Sequence, residues 1–383
     1  MKNLFKKAGF SSFLSSATAI VIGILFGFIV LLVANPSKAV AGLGVILQGG
    51  FVSMRELGQM LYDATPIILT GLSVGLANKC GLFNIGGSGQ FIVGGFAAVY
   101  VGVKWTFLPA PIHWVVALLA SAVAGAIWGL VPGILKALSN INEVIACIMM
   151  NYIGMSFVNM MVRMTIYDPA KNQSRLPTAA ANIPKTGLDS IFVSGGTSSS
   201  ANGGILIAIL LGVVVYIVLN KTKFGFEMKA CGLNSDAARY AGINEKKSII
   251  SSMVMAGALA GLGGGLSYLA GAGKAIHVLD QLAAEGFNGI PVALLGMSNP
   301  IAIIFSGLFI AYLTRGGFNL QTLGYVPQVI DIITAVIIYF AAFTLLFQQI
   351  YSRFINKDAG LQKPLAATTG KTKTAKTKGG KRE

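Results

Sequence analysis

Long apolar runs recur along the chain, each close to the roughly 20 residues that an α-helix needs to cross a bilayer core of about 30 Å. Short polar stretches rich in Gly, Pro or Lys separate them. This pattern predicts an all-α polytopic membrane protein with about ten transmembrane helices. The predicted spans are residues 17–34, 62–80, 89–103, 112–134, 143–162, 204–220, 249–271, 285–297, 299–314 and 327–348.

The composition excludes a soluble protein, and in a membrane protein the positive net charge has a different interpretation. The chain has 383 residues, of which 54% are hydrophobic and 11% charged, too few polar residues to cover a water-exposed surface. The net charge of +16 is concentrated at the C-terminus, where nine Lys and Arg follow Tyr351. We interpret these residues as topology signals and lipid contacts, not as a nucleic-acid site.

The charge distribution also predicts the domains and the topology. Residues 1–349 form a transmembrane domain, and 350–383 form a disordered, basic cytoplasmic tail. Segment 221–248 is rich in Lys and Arg and is predicted to be cytoplasmic, whereas 164–203 is predicted to be an external loop, either partly flexible or an ordered cap. Ten spans place both termini in the cytoplasm. The N-terminus resembles a signal peptide, but its long apolar run favours an uncleaved first helix.

Two polar, glycine-rich stretches interrupt the apolar pattern. "LFNIGGSGQF" carries Asn84, Ser88 and Gln90, and "AAEGFNGIPVALLG" carries Glu285 and Asn288. Both are typical of broken or re-entrant helices, whose free backbone groups must be buried in protein or line a cavity. "FNIG" at 83–86 and "FNGI" at 287–290 are compatible with an inverted repeat, and also with coincidence.

The fifth span, "NEVIACIMMNYIGMSF", places Glu143 and Asn151 eight residues apart, about 80° from each other around a helix. Polar groups inside a bilayer usually face the protein interior. Two interpretations stay open for each residue. Glu143 is either a helix-terminus carboxylate or a gate residue, and Asn151 is either an interhelical hydrogen-bond partner or part of a substrate pathway.

Small residues recur every fourth position in "GALAGLGGGLSY", at Gly257, Gly261 and Gly265. This spacing predicts close helix packing, and the apolar surroundings argue against a dinucleotide site. The three cysteines lie far apart without metal-ligand spacing, so no metal site is predicted. The "GKT" at 370–372 lacks the first glycine of a phosphate loop.

The most distinctive polar stretch is "CGLNSDAARYAGINEKK" in the predicted cytoplasmic segment. Ser235 is the predicted N-cap of a short helix that Gly242 ends. Exposed Ala237, Ala238, Tyr240 and Ile243 would make this helix a docking element, although an ordinary helical turn is the alternative. The candidate docking residues are Asn234, Ser235, Asp236, Ala237, Ala238, Arg239, Tyr240, Ala241, Gly242 and Ile243.

Four stretches of the sequence resemble a known family, and they occur in the same order as in that family. "GLNSDAARYAGI" with "AGALAGLGG" resembles the coupling loop of ABC importer permeases of the ribose/branched-chain amino acid class. "GLFNIGGSGQFIVGGFAA", "NEVIACIMMNYI" and "GFNGIPVALLG" resemble its nucleoside-importing branch. The chain departs from the family at Gly87 and Ser88, where the family commonly has a small residue and an acid, and at "NS" 234–235, commonly Asn-Pro.

The resemblance implies a non-enzymatic permease subunit in a bacterial cell membrane. Its partners would be a second permease, as a heterodimer, a cytoplasmic ATPase that uses ATP, and an external substrate-binding lipoprotein. No cofactor is expected on this chain itself. Matching positions imply a pathway through Asn84, Ser88, Gln90, Asn151 and Asn288, with Glu143 as a weaker candidate.

Three alternatives remain from the sequence. The substrate could be ribose or another simple sugar. An ion-coupled secondary transporter would need an acidic residue in the middle of a span, and none stands out. A membrane-embedded enzyme would need paired acids or a histidine cluster, which the spans lack.

Overall fold

The computed structural model describes residues 8–350 apart from 342, 344, 345 and 348, and these residues are mostly helical. The predicted tail therefore lies outside the described residues from 351 onward. The helices are α1 Ala8–Ala34, α2 Ala39–Gln48, α3 Met54–Lys79, α4 Gly87–Lys104, α5 Ala110–Ser139, α6 Glu143–Thr165, α7 Leu188–Ile191, α8 Gly204–Lys221, α9 Lys223–Leu233, α10 Ser235–Tyr240, α11 Glu245–Tyr268, α12 Ala284–Phe287, α13 Gly289–Leu295, α14 Pro300–Asn319 and α15 Pro327–Ala341. The strands are β1 Tyr167–Asp168, β2 Gln173–Ser174, β3 Val193–Ser194 and β4 Thr197–Ser198, with 3₁₀ turns at Pro36–Lys38, Gly49–Val52, Ala179–Ala181 and Leu320–Leu323.

Among the described residues, seven helices are long and apolar enough to cross a membrane. They correspond to seven of the ten predicted spans, and the other three differ for local reasons. The third predicted span becomes α4, which begins with the polar sequence Gly-Ser-Gly-Gln. The eighth divides into α12 and α13 around Asn288. The tenth contains a shorter apolar helix, Pro327–Phe340, within its described part.

The core of the bundle is built around α3 and α11, the two most buried of these seven helices. Helix α3 begins at Ser53, whose Oγ accepts a hydrogen bond from the Glu56 backbone N–H, and it packs against α8, α13 and α14. Helix α11 packs against α3, α4 and α5. Helices α1 and α15 pack against each other at the edge, with large apolar side chains exposed as lipid contact requires.

The regularly spaced glycines of α11 lie where this helix crosses its neighbours. A Cβ on Gly257 would lie 2.3 Å from the Gly125 backbone oxygen, and one on Gly261 would lie 2.5 Å from that of Ser121. A Cβ on Gly265 would meet the Ser121 side chain at 2.5 Å. These distances leave no room for a methyl group, so α11 and α5 approach each other through their backbones.

Residues 166–203, the long loop, contain ordered elements at one end of the bundle. Strands β1 and β2 form a hairpin whose register pairs Tyr167 with Ser174. The hairpin also binds segment 269–283, because Ser174 N–H donates to the Ile276 oxygen at 2.8 Å and Val278 N–H to the Asn172 oxygen at 3.1 Å. We call this the long-loop end. Helices α6 and α8 run from it to the opposite end, which carries α9 and α10.

The structure corrects two details of the short helix α10. Its N-cap is Asn234, whose Oδ1 accepts from Ala237 N–H at 2.9 Å, and Ser235 is the first helical residue, so the predicted Ser235 cap is wrong. Ala238 is 4% exposed and packs into the core, so its predicted exposure is also wrong. Ile243 is half-buried against the same core. The α10 helix therefore offers a narrower surface than predicted.

Candidate transport pathway and docking surface

A buried hydrogen-bond cluster holds the break between α3 and α4. Asn84 donates through Nδ2 to Ser73 Oγ at 3.1 Å and to Gln90 Oε1 at 2.9 Å. Its Oδ1 accepts from Gly86 N–H at 3.1 Å and from Gln90 Nε2 at 3.2 Å. Asn84 thereby satisfies the Gly86 N–H, a backbone group that the helix break leaves without a helical partner, and Gln90 holds the Asn84 amide in place.

Asn151 joins this cluster from α6. Its Oδ1 accepts from Gly89 N–H in the first turn of α4 at 2.8 Å, and its Nδ2 donates to the Ile85 oxygen at 3.1 Å. Asn84, Gln90 and Asn151 are all buried. In this conformation they lock the helix break to α6, which agrees with the interhelical interpretation of Asn151.

Replacing Asn151 with leucine is expected to lower the melting temperature of the purified chain by several degrees. The change leaves the Gly89 N–H and the Ile85 oxygen buried without partners, at about 1–3 kcal/mol for each group. The matched control is Asn220→Leu, because Asn220 is exposed: it donates to Tyr216 of its own helix and accepts from Lys229 at the surface, where water can replace both partners. Equal melting temperatures for the two variants in detergent would contradict this role of Asn151.

The second broken helix meets the first at a backbone seam. A Cβ on Gly286 of α12 would lie 2.3 Å from Ser88 Cα, and one on Gly87 would lie 2.7 Å from the Gly286 oxygen. Ser88 Oγ also donates to the Ala283 oxygen at 2.9 Å. We call this contact the glycine seam. It brings the two polar, glycine-rich stretches of the sequence into direct contact.

Two cavities lie on either side of α12. The first, about 360 Å³, opens at the long-loop end and is lined by Ser88, Lys274 and Glu285 among others. The second, about 720 Å³, lies between α13 and the helices α14 and α15, and Asn288 lines it. Ala284 lines both. The structure thus places Ser88 and Asn288 in different cavities, separated by α12.

Glu143 lies apart from the polar cluster, in the first turn of α6. Asn142 caps this helix, and Lys136 Nζ lies 3.0 Å from Glu143 Oε2. A carboxylate at a helix N-terminus is stabilised by the helix dipole as well as by this ion pair. The geometry agrees with the helix-terminus interpretation of Glu143.

A group of charged residues between α3 and α14 was not among the residues predicted from the sequence. Arg315 Nε lies 2.7 Å from Glu56 Oε2, and Arg315 Nη1 lies 3.7 Å from Asp63 Oδ2. All three side chains are mostly buried. The only sign of this group in the sequence is a charged residue near the end of each of two spans. The partners Glu56 and Arg315 are 259 residues apart in the chain, so the sequence does not show that they pair.

Replacing Arg315 with methionine is expected to destabilise the protein strongly, because Glu56 and Asp63 then lose their buried counter-charge. Removing one partner of a buried ion pair costs about 3–5 kcal/mol. The exposed pair Lys223–Glu227 provides the control, since Lys223→Met should change stability by less than about 1 kcal/mol. Thermal unfolding in detergent measures both, and adding Glu56→Gln to Arg315→Met should recover part of the loss.

At the other end of the bundle, α9 and α10 present a candidate docking surface. Leu233 and Tyr240 are 89% and 95% exposed, although both are large and apolar. The loop that holds them is rigid, because Asn234 caps α10, Asn244 caps α11 and Arg239 Nη2 donates to Glu245 Oε2 at 2.6 Å. A fixed pair of exposed apolar side chains beside polar helix caps is a typical protein-binding surface.

The broken helices, the buried polar cluster and the rigid apolar surface at one end define a membrane transport subunit. The chain belongs to the family described as the permease component of branched-chain amino acid transport systems, whose model matches residues 56–342. It is a transport component and not an enzyme.

Several curated relatives cover most of the chain. It is 37% identical to the guanosine ABC transporter permease NupP of Bacillus subtilis, over 85% of this chain and 91% of NupP. It is 38% identical to the nucleoside ABC transporter permease NupB of Lactococcus lactis, over 85% and 89%. A glucose ABC transporter permease of Haloferax volcanii, TsgB13, is 32% identical over 89% and 90%.

The same two bacteria carry a second, more distant relative. NupQ of Bacillus subtilis is 26% identical over 66% of this chain and 78% of NupQ, and NupC of Lactococcus lactis is 24% identical over 68% and 82%. Both are also named as guanosine or nucleoside ABC transporter permeases. No solved structure is a significant match to the chain.

Proposed function

We propose that this chain is a membrane-spanning permease subunit of an ATP-driven importer and forms part of the translocation pathway for nucleosides. The observation that carries the proposal is the identity of 37% and 38% to a guanosine and a nucleoside permease, over about nine-tenths of each relative. A simple sugar is the second candidate substrate, supported by the identity of 32% to a glucose permease.

The proposed assembly contains a second permease, a cytoplasmic ATPase and an external substrate-binding lipoprotein. The second permease is supported by the paired relatives, since NupP and NupQ occur in one organism and NupB and NupC in another. Leu233 and Tyr240 support an ATPase contact through α9 and α10. In this arrangement both termini and the α10 end are cytoplasmic, and the long-loop end faces the binding protein.

The proposed mechanism uses the rigid α9–α10 surface to transmit ATP-driven movement. An ATPase that binds this surface differently in its open and closed states shifts the permease between inward-facing and outward-facing conformations. The helix break at Asn84 to Gln90 lies on the same side of the core as this surface, because Gly232 of α9 packs against the backbone at Lys79 and Cys80. Movement of α9 is thereby passed directly to the end of α3.

The deciding experiment is uptake by proteoliposomes that contain this chain, a partner permease, the ATPase and the binding protein. Labelled guanosine should enter only when ATP and every component are present. Uptake of glucose or ribose, but not of guanosine, would show that the substrate is a sugar and not a nucleoside. Uptake by this chain alone under a proton gradient would contradict the importer proposal, since it would identify an ion-coupled transporter.

A further inference from the structure

The cavity at the long-loop end, which we call the rim cavity, has a lining suited to a particular kind of ligand. Its two charged side chains neutralise each other, because Lys274 Nζ lies 2.7 Å from Glu285 Oε1. The remaining polar groups include amides and an imidazole, from Asn159, Gln173, His277 and Gln281. A lining without an unpaired charge favours a neutral ligand over an anion or a cation.

The polar groups of the rim cavity are available for a ligand. The side chains of Gln173, His277 and Gln281 have no hydrogen-bond partner among the described residues. Asn159 donates through Nδ2 to the Leu279 oxygen at 3.0 Å and to Oδ1 of Asp280, which is not part of the lining, at 3.4 Å, and its amide oxygen is left to accept. Several unpaired donors and acceptors in one small cavity match a molecule that carries several hydroxyl or amide groups.

One wall of the rim cavity is held in place before a ligand arrives. Segment 276–278 is held to the β1–β2 hairpin by backbone hydrogen bonds, and Ser174 Oγ accepts from Ile276 N–H at 3.0 Å. Tyr268 forms part of the wall, with Lys274 Nζ 5.2 Å from its ring centre. The volume of about 360 Å³ is within the range of small-molecule sites. Preorganisation of this kind lowers the entropy cost of binding.

The inner side of the rim cavity is closed in this conformation. Ser88 lies at its inner boundary and donates to the Ala283 oxygen, and the glycine seam between Gly87 and Gly286 follows directly behind it. A ligand that enters from the long-loop end therefore stops at the seam. Separation of α12 from the start of α4 would open the way inward.

We propose that the rim cavity is a nucleoside-receiving subsite, in which a neutral, hydroxyl-bearing ring compound binds before the glycine seam opens. The inference rests on the proposed function for its ligand class. The names of the relatives give only the substrate. The rim cavity would be the place on this chain where that substrate binds, next to four polar side chains, Asn159, Gln173, His277 and Gln281.

The buried native cysteines make a direct test feasible. Cys80, Cys147 and Cys231 are all buried, so a single exposed cysteine becomes the reactive thiol. His277→Cys and Gln281→Cys place that thiol in the rim cavity. Ser198→Cys, on the exposed strand β4 of the long loop, is the matched control outside the lining. A membrane-impermeant, charged thiol reagent then labels each variant in proteoliposomes.

Labelling rates are measured on the complete permease–ATPase complex without binding protein, whose docking would itself shield the rim. Guanosine should slow labelling at positions 277 and 281 by about tenfold at ten times its dissociation constant, where about nine-tenths of the sites are filled. The rate at position 198 should stay the same. Modification of Gln281→Cys should also block guanosine uptake once ATP and binding protein are added.

The outcomes separate this inference from the proposed function. Guanosine uptake without protection at 277 and 281, or with equal protection at 198, overturns the rim subsite and leaves the nucleoside importer intact. Protection by ribose or glucose but not by guanosine overturns the nucleoside assignment of the cavity. Failure of the wild-type complex to take up guanosine counts against the proposed function itself.

Discussion

Replacing Gly261 with alanine is expected to remove most of the folded protein from the membrane. Gly261 lies between two helices: its Cβ would meet the Ser121 oxygen at 2.5 Å and Gly125 Cα at 2.9 Å, while a Cβ on Gly94 would meet Gly261 Cα at 2.4 Å. Overpacking a tight core typically costs about 1–3 kcal/mol. Here the obstructing atoms are backbone, so entire helices must separate and the cost is expected at or above that range.

Gly44 offers a matched control, because it is also a helical glycine but nothing lies within 4 Å of its added Cβ. Gly44→Ala should be neutral, or stabilising by up to about 1 kcal/mol because alanine favours helix. Fluorescence-detected size exclusion measures the folded fraction of both variants, and thermal unfolding measures their stability. Similar profiles for Gly261→Ala and Gly44→Ala would show that the crossing tolerates a methyl group.

The spacing of glycines in α11 indicated close packing, but it gave no information about the partners. Gly125, Gly129 and Gly133 repeat at the same spacing on α5, but spacing alone does not say which helices meet, and only the fold brings Gly94 and Gly125 to Gly261. Hydropathy predicted most spans because bilayer thickness imposes one length on every crossing helix. It counted residues 285–297 as one span, whereas the chain breaks at Asn288 between α12 and α13, and Pro291 lies in the first turn of α13.

The polar residues show a similar limit of sequence reasoning. Asn84, Gln90 and Asn151 were predicted as candidates because amides in apolar spans are costly. Their shared cluster was not predictable, since Asn151 and Gly89 are 62 residues apart. The ion pair of Arg315 with Glu56 was missed for the same reason. Long-range contacts depend on how helices rotate against each other, and periodicity within one helix does not determine that.

The error at α10 has a local physical cause. Asparagine and serine are about equally good N-caps, so the sequence "NSD" does not distinguish Asn234 from Ser235. The face that α10 buries is set separately, by its packing against α9 and α11, which a six-residue pattern does not determine. Ala238 faces the core, where it packs, and Tyr240 is left 95% exposed. The docking surface consequently rests on Tyr240 and Leu233.

Replacing Leu233 or Tyr240 with aspartate is expected to weaken association with the proposed ATPase by roughly thirtyfold or more, and to reduce ATP-driven uptake with it. Both side chains are large and exposed on a loop fixed by helix caps, and tyrosine is among the residue types most frequent at binding hot spots. Loss of one hot-spot side chain costs about 2 kcal/mol or more, or roughly a thirtyfold loss of affinity. Co-purification of the ATPase with the detergent-solubilised permease measures this directly.

Two further variants distinguish docking from folding. Phe107→Asp changes an equally apolar, 76% exposed side chain at the long-loop end, and it should leave ATPase binding unchanged. Ala238→Asp places a charge at a buried position, so it should lower thermal stability as well as binding, whereas Tyr240→Asp should unfold at the wild-type temperature. If the Leu233→Asp and Tyr240→Asp permeases both co-purify as much ATPase as the wild type does, this surface is not the docking site. Loss of binding with unchanged stability would locate the transmission of ATP-driven movement at α9 and α10.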